Sequence, residues 1–407
     1  MENPKIRFKG FTKDWEQRKL GATNTFFTDG NYGEAYPKSS DMTDSGSGVP
    51  FLTGGNLKDG KLSLDGASYI TPEKHSKLTS GHLLEDDIVI AVRGSLGALG
   101  YVNTDNSGWN INSQLAILRT DKSELYGKFL IQYLLSWTGQ NELLKRQTGS
   151  ALKQLPIGAI KDVEVPITSI AEQEKIGEYF DSVDHLITLH QRKCEQTKKL
   201  KKYMLQKMFP QNGAKVPEIR FDGFTYDWEQ RKLGELGTVQ TCKRIFKDQT
   251  SEKGDIPFFK NGTIGLKPDS YISREMYEEF RRLYPYPEVG DTLISVVGSI
   301  GRTAEYTGKD EYFQDSNVVW LKTDGSINKK FLKISYQVIK WLIEGSTVKH
   351  LYNDNILRSE IVMPVSQIEQ AKIAEFFEEL DHLITLHQRK CDELKKMKKY
   401  MLQNMFI

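Results

Sequence analysis

Polar side chains able to contact nucleic acid recur on predicted loops in two stretches of this chain, residues 22–170 and 235–368. Arginine, lysine, asparagine and glutamine carry the donors and acceptors that match base edges in the major groove, and backbone amides of Gly-Ser turns can approach phosphate oxygens closely. We therefore predict a nucleic-acid contact surface; for each residue taken alone, an ordinary surface turn is the alternative. The candidate residues are Asn56, Lys58, Lys61, Arg93, Ser95, Ser150 and Lys153 in the first stretch, and Lys260, Asn261, Ser299, Arg302, Ser346, Lys349 and His350 in the second.

Catalytic motifs are missing from the sequence. Residues 55–61 (GNLKDGK) match a P-loop as far as the lysine, but Leu62 stands where that motif needs serine or threonine. Neither an Asn-Pro-Pro-aromatic nor an Asp-Pro-Pro-aromatic methyltransferase signature occurs, and no serine–histidine–aspartate or paired-carboxylate constellation can be assigned. We therefore predict that the chain is not an enzyme and that any catalysis lies in partner chains.

Length and composition indicate a globular protein of two to four domains. The 407 residues carry a net charge of +2, and no apolar run reaches the ~20 residues that span a bilayer. The first ten residues, MENPKIRFKG, include no apolar signal region, and three cysteines (Cys194, Cys242 and Cys391) cannot form a disulfide framework. We expect a cytoplasmic protein with no membrane partner.

The candidate residues lie in two segments that share a succession of predicted elements. Each segment has a short strand, a β-rich run ending in a Gly-Ser-x-Gly turn, a second apolar strand, a helix, another Gly-Ser turn and a final strand that ends in proline. The two predicted helices cover residues 126–138 and 329–343. This succession predicts two α+β domains of one fold with divergent loops.

The sequence around these segments occurs twice. Residues 4–21 and 217–234 are identical at 15 of 18 positions, and residues 172–209 and 369–406 are identical at 27 of 38. Internal repeats of this kind report architecture. We predict a duplicated frame that carries two different domains.

The longer repeat predicts two helices of about 35 residues, each with an apolar stripe at alternating steps of four and three. Ser169 and Ser366 are predicted to cap them, with Glu172 and Glu369 completing capping boxes. Acidic residues dominate the first half of each helix and basic residues the second half, which favours antiparallel pairing. We predict an intramolecular antiparallel coiled coil with a pseudo-twofold axis. Its predicted core contains Ile176, Phe180, Val183, Ile187, Ile373, Phe377, Leu380 and Ile384.

A His-x-x-x-Cys sequence lies near the middle of each long helix, at residues 190–194 and 387–391. Two such pairs at helical spacing could supply four tetrahedral zinc ligands. The alternative is that histidine and cysteine are small residues tolerated at a helix crossing. We predict no metal site.

Three motifs, each present twice and in the same order, resemble those of the specificity (S) subunit of type I restriction–modification systems. They are the Trp-Glu-x-x-x-Leu-Gly openings at residues 15–21 and 228–234, the Gly-Ser-x-Gly turns, and the Pro-x(4–5)-Glu-Gln-x-x-Ile entries into the long helices. Each motif is weak alone, but two ordered sets are specific, and the resemblance covers essentially the whole chain. It implies target-recognition domains at residues 1–168 and 213–366 and repeated spacer helices at residues 169–212 and 367–407.

The resemblance also implies a division of labour. Each recognition domain would read one half of a bipartite, asymmetric site in double-stranded DNA, while the helices set the spacer and dock two methyltransferase (modification) subunits. Restriction motor–nuclease subunits would join through them. S-adenosylmethionine, ATP and magnesium would be bound by these partners and not by this chain, and the methylated base would be adenine.

Two other classes of protein are alternatives. A stand-alone nuclease or methyltransferase-associated enzyme would need a carboxylate–metal or methyl-donor motif, which the sequence lacks. A coiled-coil scaffold would leave the divergent, loop-rich domains unexplained.

Overall fold

The computed structural model describes residues 3–150, 152–298, 300–314, 317–345 and 349–406. The chain divides into two compact units: unit 1 is Met1–Gln191 with Gln388–Ile407, and unit 2 is Arg192–His387. The division cuts both long helices near their middle. Each unit therefore contains one α+β domain, the first half of one long helix and the second half of the other.

Unit 1 is rich in short strands. Its strands are β1 (Glu16–Lys19), β2 (Phe26–Asp29), β3 (Met42–Thr43), β4 (Val49–Leu52), β5 (Leu57–Lys58), β6 (Gly60–Leu62), β7 (Ser68–Ile70), β8 (Ile88–Ala91), β9 (Leu99–Tyr101), β10 (Asn110–Ile111), β11 (Leu115–Arg119) and β12 (Glu164–Ile167). Its helices are α1 (Pro72–Lys77), α2 (Gly127–Leu135), α3 (Trp137–Leu144), α4 (Ile157–Lys161) and the first half of α5 (Ile170–Lys207).

A six-stranded sheet with the order β2-β11-β8-β9-β6-β5 is the centre of unit 1, and a four-stranded sheet has the order β10-β4-β7-β3. Strand β8 is buried along its whole length because it separates two cores. Ile88 and Ile90 pack with Trp15 on one face, while Val89 and Ala91 pack into a second apolar cluster on the other. This explains why the strand reads as a continuous apolar run rather than an alternating one.

Unit 2 repeats this plan with fewer strands. Its strands are β13 (Glu229–Lys232), β14 (Gly237–Gln240), β15 (Ile256–Phe259), β16 (Ser270–Ile272), β17 (Thr292–Ser295), β18 (Thr303–Glu305), β19 (Tyr312–Phe313), β20 (Val318–Thr323) and β21 (Glu360–Met363). Its helices are α6 (Arg274–Leu283), α7 (Lys329–Ser335), α8 (Asn353–Arg358) and the first half of α9 (Gln367–Asn404).

The strands that the two units have in common are arranged in the same order. The order β14-β20-β17-β18 in unit 2 corresponds to β2-β11-β8-β9 in unit 1, and the parallel pair β15–β19 corresponds to β4–β10. In both units the repeated opening forms an antiparallel pair with the strand that precedes a long helix, β1 with β12 and β13 with β21. The predicted fold class, two similar α+β domains with two long helices, is confirmed.

Two predicted helices differ from those in the structure. The helix expected over residues 126–138 is broken at Ser136, whose side chain caps α3 by accepting a hydrogen bond from the amide of Gly139. The helix expected over residues 329–343 ends at Ser335, after which Val338 and Trp341 pack against the core of unit 2 from irregular backbone. Packing of these apolar side chains overrides the helical periodicity that the sequence shows.

Of the predicted serine caps, that of Ser366 is confirmed, because its Oγ accepts a hydrogen bond from the amide of Glu369 at 3.4 Å. The glutamates do not complete the predicted capping boxes, because their carboxylates bond elsewhere. The carboxylate of Glu172 is fully buried and accepts hydrogen bonds from Arg7 Nε (2.6 Å), Arg7 Nη2 (2.8 Å) and Trp15 Nε1 (3.2 Å). It is therefore committed to the repeated opening segment rather than to the amide at its own helix start. The hydrogen bond to Glu172 raises the pKa of Arg7.

The same contact recurs in unit 2. Glu369 accepts from Arg220 Nε (2.7 Å), Arg220 Nη2 (2.9 Å) and Trp228 Nε1 (3.2 Å). We call these two groups the Arg–Glu–Trp anchors. Because a buried carboxylate needs a counter-charge and donors for its lone pairs, each anchor fixes the repeated opening to the first turn of a long helix.

Within each unit the long helices pack antiparallel. In unit 1, Lys398 near the end of α9 contacts both carboxylate oxygens of Asp184 (2.7 and 2.8 Å); in unit 2, Lys201 near the end of α5 contacts both oxygens of Asp381 (2.7 and 2.8 Å). Each pair joins the basic half of one helix to the acidic half of the other. The antiparallel pairing predicted from charge is thus confirmed.

The predicted coiled-coil residues divide between helix–helix and domain contacts. Val183 and Ile187 pack with Cys391 in a small cluster of their own. Ile176 and Phe180 lie in the main core of unit 1, and Ile373, Phe377 and Leu380 lie in that of unit 2. Ile384 is partly buried, and its carbonyl faces Cys194 Sγ at 3.7 Å.

The ends of the two long helices are held in the same way. Phe209 after α5 packs on Trp228, Phe331 and Phe377, and Phe406 after α9 packs on the equivalent residues Trp15, Phe129 and Phe180. The amide of Ile219 donates to the carbonyl of Lys207 at 2.9 Å, and the amide of Ile6 donates to that of Asn404 at 2.9 Å. The ends of α9 and α5 therefore have equivalent surroundings in unit 1 and unit 2.

None of the described helices is both long enough and apolar enough to cross a membrane.

Candidate nucleic-acid interface

Three loops of unit 1 meet at one edge of its central sheet. Arg93 and Thr148 each form a β-bridge with Gln154, and the amide of Val92 donates to the carbonyl of Gln114 at 2.9 Å. We call residues 93–97, 112–114, 148–150 and 152–154 the unit 1 loop cluster. It collects residues from parts of the chain that lie up to about 60 positions apart.

Unit 2 has the same backbone arrangement. Val297 and Glu344 each form a β-bridge with His350, and the amide of Val296 donates to the carbonyl of Asn317 at 3.0 Å. We call residues 296–298, 317, 344–345 and 349–352 the unit 2 loop cluster. Arg93 and Val297 therefore occupy equivalent positions, as do Gln154 and His350.

Each cluster includes residues of a Gly-Ser-x-Gly turn, and the backbone conformation of this turn requires its two glycines. Gly94 and Gly97 have φ values of +72° and +74°, and their counterparts Gly298 and Gly301 have +68° and +79°. Residues with a Cβ rarely adopt this left-handed conformation, so glycine is needed at both positions for the tight return of the chain.

The side chains of the unit 1 loop cluster surround an arginine. Arg93 is exposed, its guanidinium carbon lies 5.4 Å from the centre of the Tyr32 ring, and its Nε donates to Gln154 Oε1 at 3.2 Å. The Tyr32 hydroxyl donates to Asp29 at 2.9 Å. Partial burial and this hydrogen bond raise the pKa of Tyr32, so its hydroxyl stays protonated at neutral pH.

The unit 2 loop cluster instead borders a cleft of about 770 Å³. His350 stacks on Tyr352 with ring centres 5.5 Å apart and an interplanar angle of 11°. Glu344, which also lines the cleft, accepts a hydrogen bond from Asn355 Nδ2 at 2.8 Å. The two units thus share the backbone of this edge but present different chemical groups on it.

One candidate in unit 1 is corrected by the structure. Asn56 is only 1% exposed. Its side-chain Oδ1 accepts a hydrogen bond from the backbone amide of Thr53, and its Nδ2 donates to the carbonyls of Ser63 and Asp65. Its side chain stabilises the turn beneath it and presents no polar atom to a ligand. The structure does not support Asn56 as a contact residue.

The other six candidates of unit 1 are exposed, and only some lie in the loop cluster. Lys58 and Lys61 face each other on the β5–β6 hairpin, where Lys58 pairs with Asp65 and Lys61 Nζ donates to Thr188 of α5 at 2.6 Å. This hairpin carries the P-loop-like sequence, which the structure uses as a tight turn between two strands. The four candidates within the unit 1 loop cluster are Arg93, Ser95, Ser150 and Lys153.

The candidates of unit 2 are placed similarly. Lys349 and His350 belong to the unit 2 loop cluster, and Asn261 borders it by donating to the carbonyl of Val297 at 2.9 Å. Lys260 pairs with Asp269, and Arg302 donates to the carbonyl of Gly262 at 2.8 Å. Ser299 and Ser346 lie outside the described residues.

No group of three or more metal-ligating side chains comes together anywhere among the residues that the structure describes.

Comparison with known proteins identifies the family. The sequence matches the family described as "Type I restriction modification DNA specificity domain" over residues 12–199 and 226–396. The chain belongs to this family. The two matched ranges follow the internal duplication, with one range on each copy of the frame.

Individual relatives agree with the family assignment. The putative type I restriction enzyme specificity subunit S.HindORF215P of Haemophilus influenzae is 36% identical over 268 residues, which are 65% of this chain and 67% of the relative. The type I restriction enzyme MjaVIII specificity subunit of Methanocaldococcus jannaschii is 22% identical over 387 residues, which are 87% of this chain and 84% of the relative.

The fold has counterparts among solved structures. The type I restriction–modification S subunit from M. genitalium superposes with a TM-score of 0.67 at 14% identity, covering 100% of this chain and 99% of that one. A chain from a study of complex assembly and conformational transition of the type I system superposes with a TM-score of 0.51 at 16% identity and covers 96% of this chain and 97% of its own.

This specificity subunit is the DNA-recognition component of a type I restriction–modification complex, and the enzymatic activity of such a complex lies in its partner subunits. The predicted resemblance is confirmed. The alternatives, a stand-alone enzyme and a coiled-coil scaffold, are not supported.

Sequence reasoning missed several residues that the structure brings to the loop clusters of the specificity subunit. Tyr32 and Gln154 hold Arg93 in unit 1, and Tyr352 stacks on His350 in unit 2. Tyr32 and Tyr352 carry a weak signal, since aromatic residues on polar loops are typical of nucleic-acid contact. Gln154 carries none, because its neighbour Arg93 is 61 positions away in sequence.

Proposed function

We propose that the two loop clusters each recognise one half of a bipartite, asymmetric DNA site. The observation that carries this proposal is the same backbone bearing different side chains: Arg93 and Gln154 in unit 1, Val297 and His350 in unit 2. Equivalent scaffolds place their loops equivalently on DNA, and different donors and acceptors on them select different bases.

The long helices supply the distance between the half-sites in this proposal. Each helix has 38 residues, about 57 Å at 1.5 Å per residue, and continues from one unit into the other. Half-sites about one helical turn of DNA apart, ~34 Å, fall within that length. In this proposal the helices act as the spacer.

The same helices are proposed to dock two methyltransferase subunits. Leu200 and Tyr203 are exposed on the second half of α5, and Met397 and Tyr400 are exposed at the equivalent positions of α9. Apolar side chains repeated at equivalent positions suit a partner that binds twice. Restriction motor–nuclease subunits would then join through the methyltransferases, and S-adenosylmethionine, ATP and magnesium would be bound by these partners, with adenine as the methylated base.

The proposal is tested by methylome sequencing of cells that carry this subunit and its methyltransferase partner. We expect one split motif with a fixed spacer and methylated adenine. Replacing residues 22–170 with the corresponding segment of another specificity subunit should change one half of the motif and leave the other half and the spacer intact. A change in both halves, or in neither, would contradict the assignment of one half-site to each unit.

The spacer role has its own test. One heptad inserted at equivalent positions in both long helices keeps the apolar stripe in register and lengthens each helix by about 10 Å. We expect a longer spacer between unchanged half-sites, or loss of binding. A motif with its original spacer would exclude the helices as the determinant of distance.

A further inference from the structure

Arg93 is held in one orientation by three neighbours. Its Nε donates to Gln154 Oε1 at 3.2 Å, its Nη1 donates to the carbonyl of Ser113 at 3.3 Å, and its guanidinium lies 5.4 Å from the centre of the Tyr32 ring. Tyr32 is fixed in turn, because its hydroxyl lies 2.9 Å from Asp29 Oδ2 and 3.1 Å from the same Ser113 carbonyl and shares its single hydrogen between them. An exposed arginine normally samples many rotamers, and these contacts remove much of that freedom.

The remaining donors of Arg93 are available to a ligand. A guanidinium has five N–H groups, and two of them are committed to Gln154 and Ser113. These two contacts leave both hydrogens of Nη2 and one of Nη1, and even with one of them directed at the Tyr32 hydroxyl, which also interacts with Arg93, two remain. A fixed planar fork of this kind matches a pair of coplanar acceptors, and the O6 and N7 atoms of guanine are such a pair in the major groove.

At the two bridged positions that the structure describes in unit 2, no guanidinium is present. The position of Arg93 is occupied there by Val297, whose side chain carries no polar atom, and the position of Gln154 is occupied by His350. The side chains differ, but the backbone β-bridges at these positions are the same in both units.

We propose that Arg93 recognises a guanine in the half-site read by unit 1, by donating to its O6 and N7, with Gln154 and Tyr32 as positioning residues. This rests on the proposed function of the two loop clusters. The same fork also fits two phosphate oxygens, so a phosphate contact is the alternative outcome that the test distinguishes.

The test measures binding of the reconstituted specificity–methyltransferase complex to its methylome-derived site. Each guanine of the unit 1 half-site, assigned by the segment exchange above, is replaced in turn by 7-deazaguanine, which lacks N7. We expect one position at which the wild-type complex loses affinity by about 5- to 150-fold. The Arg93→Ala complex should bind the natural site more weakly by a similar factor and be insensitive to 7-deazaguanine at that position.

Two further variants separate base recognition from charge and from orientation. Arg93→Lys keeps the charge without the planar fork and should weaken the guanine preference while retaining the salt dependence of binding. Gln154→Ala should reduce affinity less than Arg93→Ala and keep the sensitivity to 7-deazaguanine. Arg274→Ala, which removes an exposed arginine paired with Asp310 in unit 2, is the matched control and should leave the unit 1 half-site unchanged.

Several outcomes would overturn the inference. One is a unit 1 half-site without guanine. Another is an Arg93→Ala complex that weakens binding equally at every base and lowers the slope of log affinity against log salt by about one, which is the signature of a phosphate contact. The proposed function itself fails separately, if the wild-type complex yields no split motif at all.

Discussion

The repeated frame has nearly the same side chains in unit 1 and unit 2, whereas the loop clusters do not. The Arg–Glu–Trp anchors use the same residue types and nearly the same distances, with Arg Nε to Glu Oε1 at 2.6 Å in unit 1 and 2.7 Å in unit 2. The loop clusters share their backbone bridges but replace Arg93 by Val297 and Gln154 by His350. The Arg–Glu–Trp anchors therefore match between the units in both side chains and backbone, whereas the loop clusters match only in backbone.

This difference fits the contacts proposed for each region. Leu200 and Tyr203 on α5, with Met397 and Tyr400 on α9, present similar apolar side chains twice, as two copies of one partner would require. An asymmetric DNA target needs the opposite, two surfaces of different chemistry held by equal scaffolds. Identity is thus expected where the partners are identical, and divergence where the two half-sites differ.

The sharpest test of equal frames is to remove the arginine from each anchor. Arg7→Met and Arg220→Met leave the carboxylates of Glu172 and Glu369 buried without a counter-charge, so each should lower the free energy of unfolding of its unit by about 3–5 kcal/mol. Hydrogen exchange resolved by unit is the appropriate measurement, because it reports the opening of each unit by itself.

A matched control for the anchor variants is available in unit 2. Arg358 pairs with Asp354 one helical turn away, and both side chains are exposed, so Arg358→Met should change stability by less than about 1 kcal/mol. Equal losses for the two anchor variants would support equivalent frames. A large loss of unfolding free energy in one unit and a small loss in the other would show that the two anchors are not equivalent.

A second test compares the two lysine–aspartate pairs between the long helices. The two pairs have the same geometry but differ in solvent exposure. The Asp184 side chain is 19% exposed and the Asp381 side chain is 42% exposed. Lys398→Met should therefore cost about 1.5–3 kcal/mol in unit 1, the range for a shielded charged hydrogen bond. Lys201→Met should cost about 1 kcal/mol or less in unit 2, since water solvates Asp381.

Salt titration sharpens this second test. Screening weakens exposed pairs more than shielded ones, so the cost of Lys201→Met should shrink further in high salt while that of Lys398→Met persists. Chemical denaturation by urea at low and high salt gives both values. Equal costs with equal salt dependence would show that the difference in exposure has no energetic consequence.

The helices and strands could be predicted because their signals are local or repeated. Charge polarity along α5 and α9 predicted the antiparallel pairing, and the ion pairs of Lys398 and Lys201 confirm it. The partner of Glu172 could not be predicted, since Arg7 lies 165 positions away and the spacing of Ser169 and Glu172 equally fits a capping box. Local sequence carries no information about which distant donor reaches a buried carboxylate.

Contacts that the sequence does not show also decide which candidate loop residues the structure supports. Asn56 in a turn has the same sequence signature whether its amide faces a ligand or bonds to its own backbone, and here it bonds to its own turn. Gln154 becomes significant only when the bridge to Arg93 is known. Chemistry that depends on long-range pairing needs the fold, whereas the order of the main strands and of the two long helices does not.

The smallest effect is expected from moving the chain ends. Seven residues link Phe209 to Pro217 in unit 2, and the four residues Ile407, Met1, Glu2 and Asn3 would link the equivalent Phe406 and Pro4 if the termini were joined. A permuted chain that begins at Gly213, ends at Asn212 and joins Ile407 to Met1 through three added residues gives unit 1 a linker of the same length. Because Ile6 and Ile219 meet the ends of α9 and α5 at the same 2.9 Å, the change should alter the free energy of unfolding by less than about 1 kcal/mol.

A second permuted chain, opened after Ile131 inside the buried helix α2, is the control and should fail to fold. Thermal unfolding and the methylome motif are the measurements, and the motif of the first permuted chain should match that of the natural chain in both halves and in spacer. A stable chain with an altered spacer, or one in which unit 1 unfolds, would show that the ends of this chain and the linker of unit 2 are not equivalent. Since Phe406 packs on Trp15, Phe129 and Phe180 as Phe209 packs on Trp228, Phe331 and Phe377, we expect equivalence.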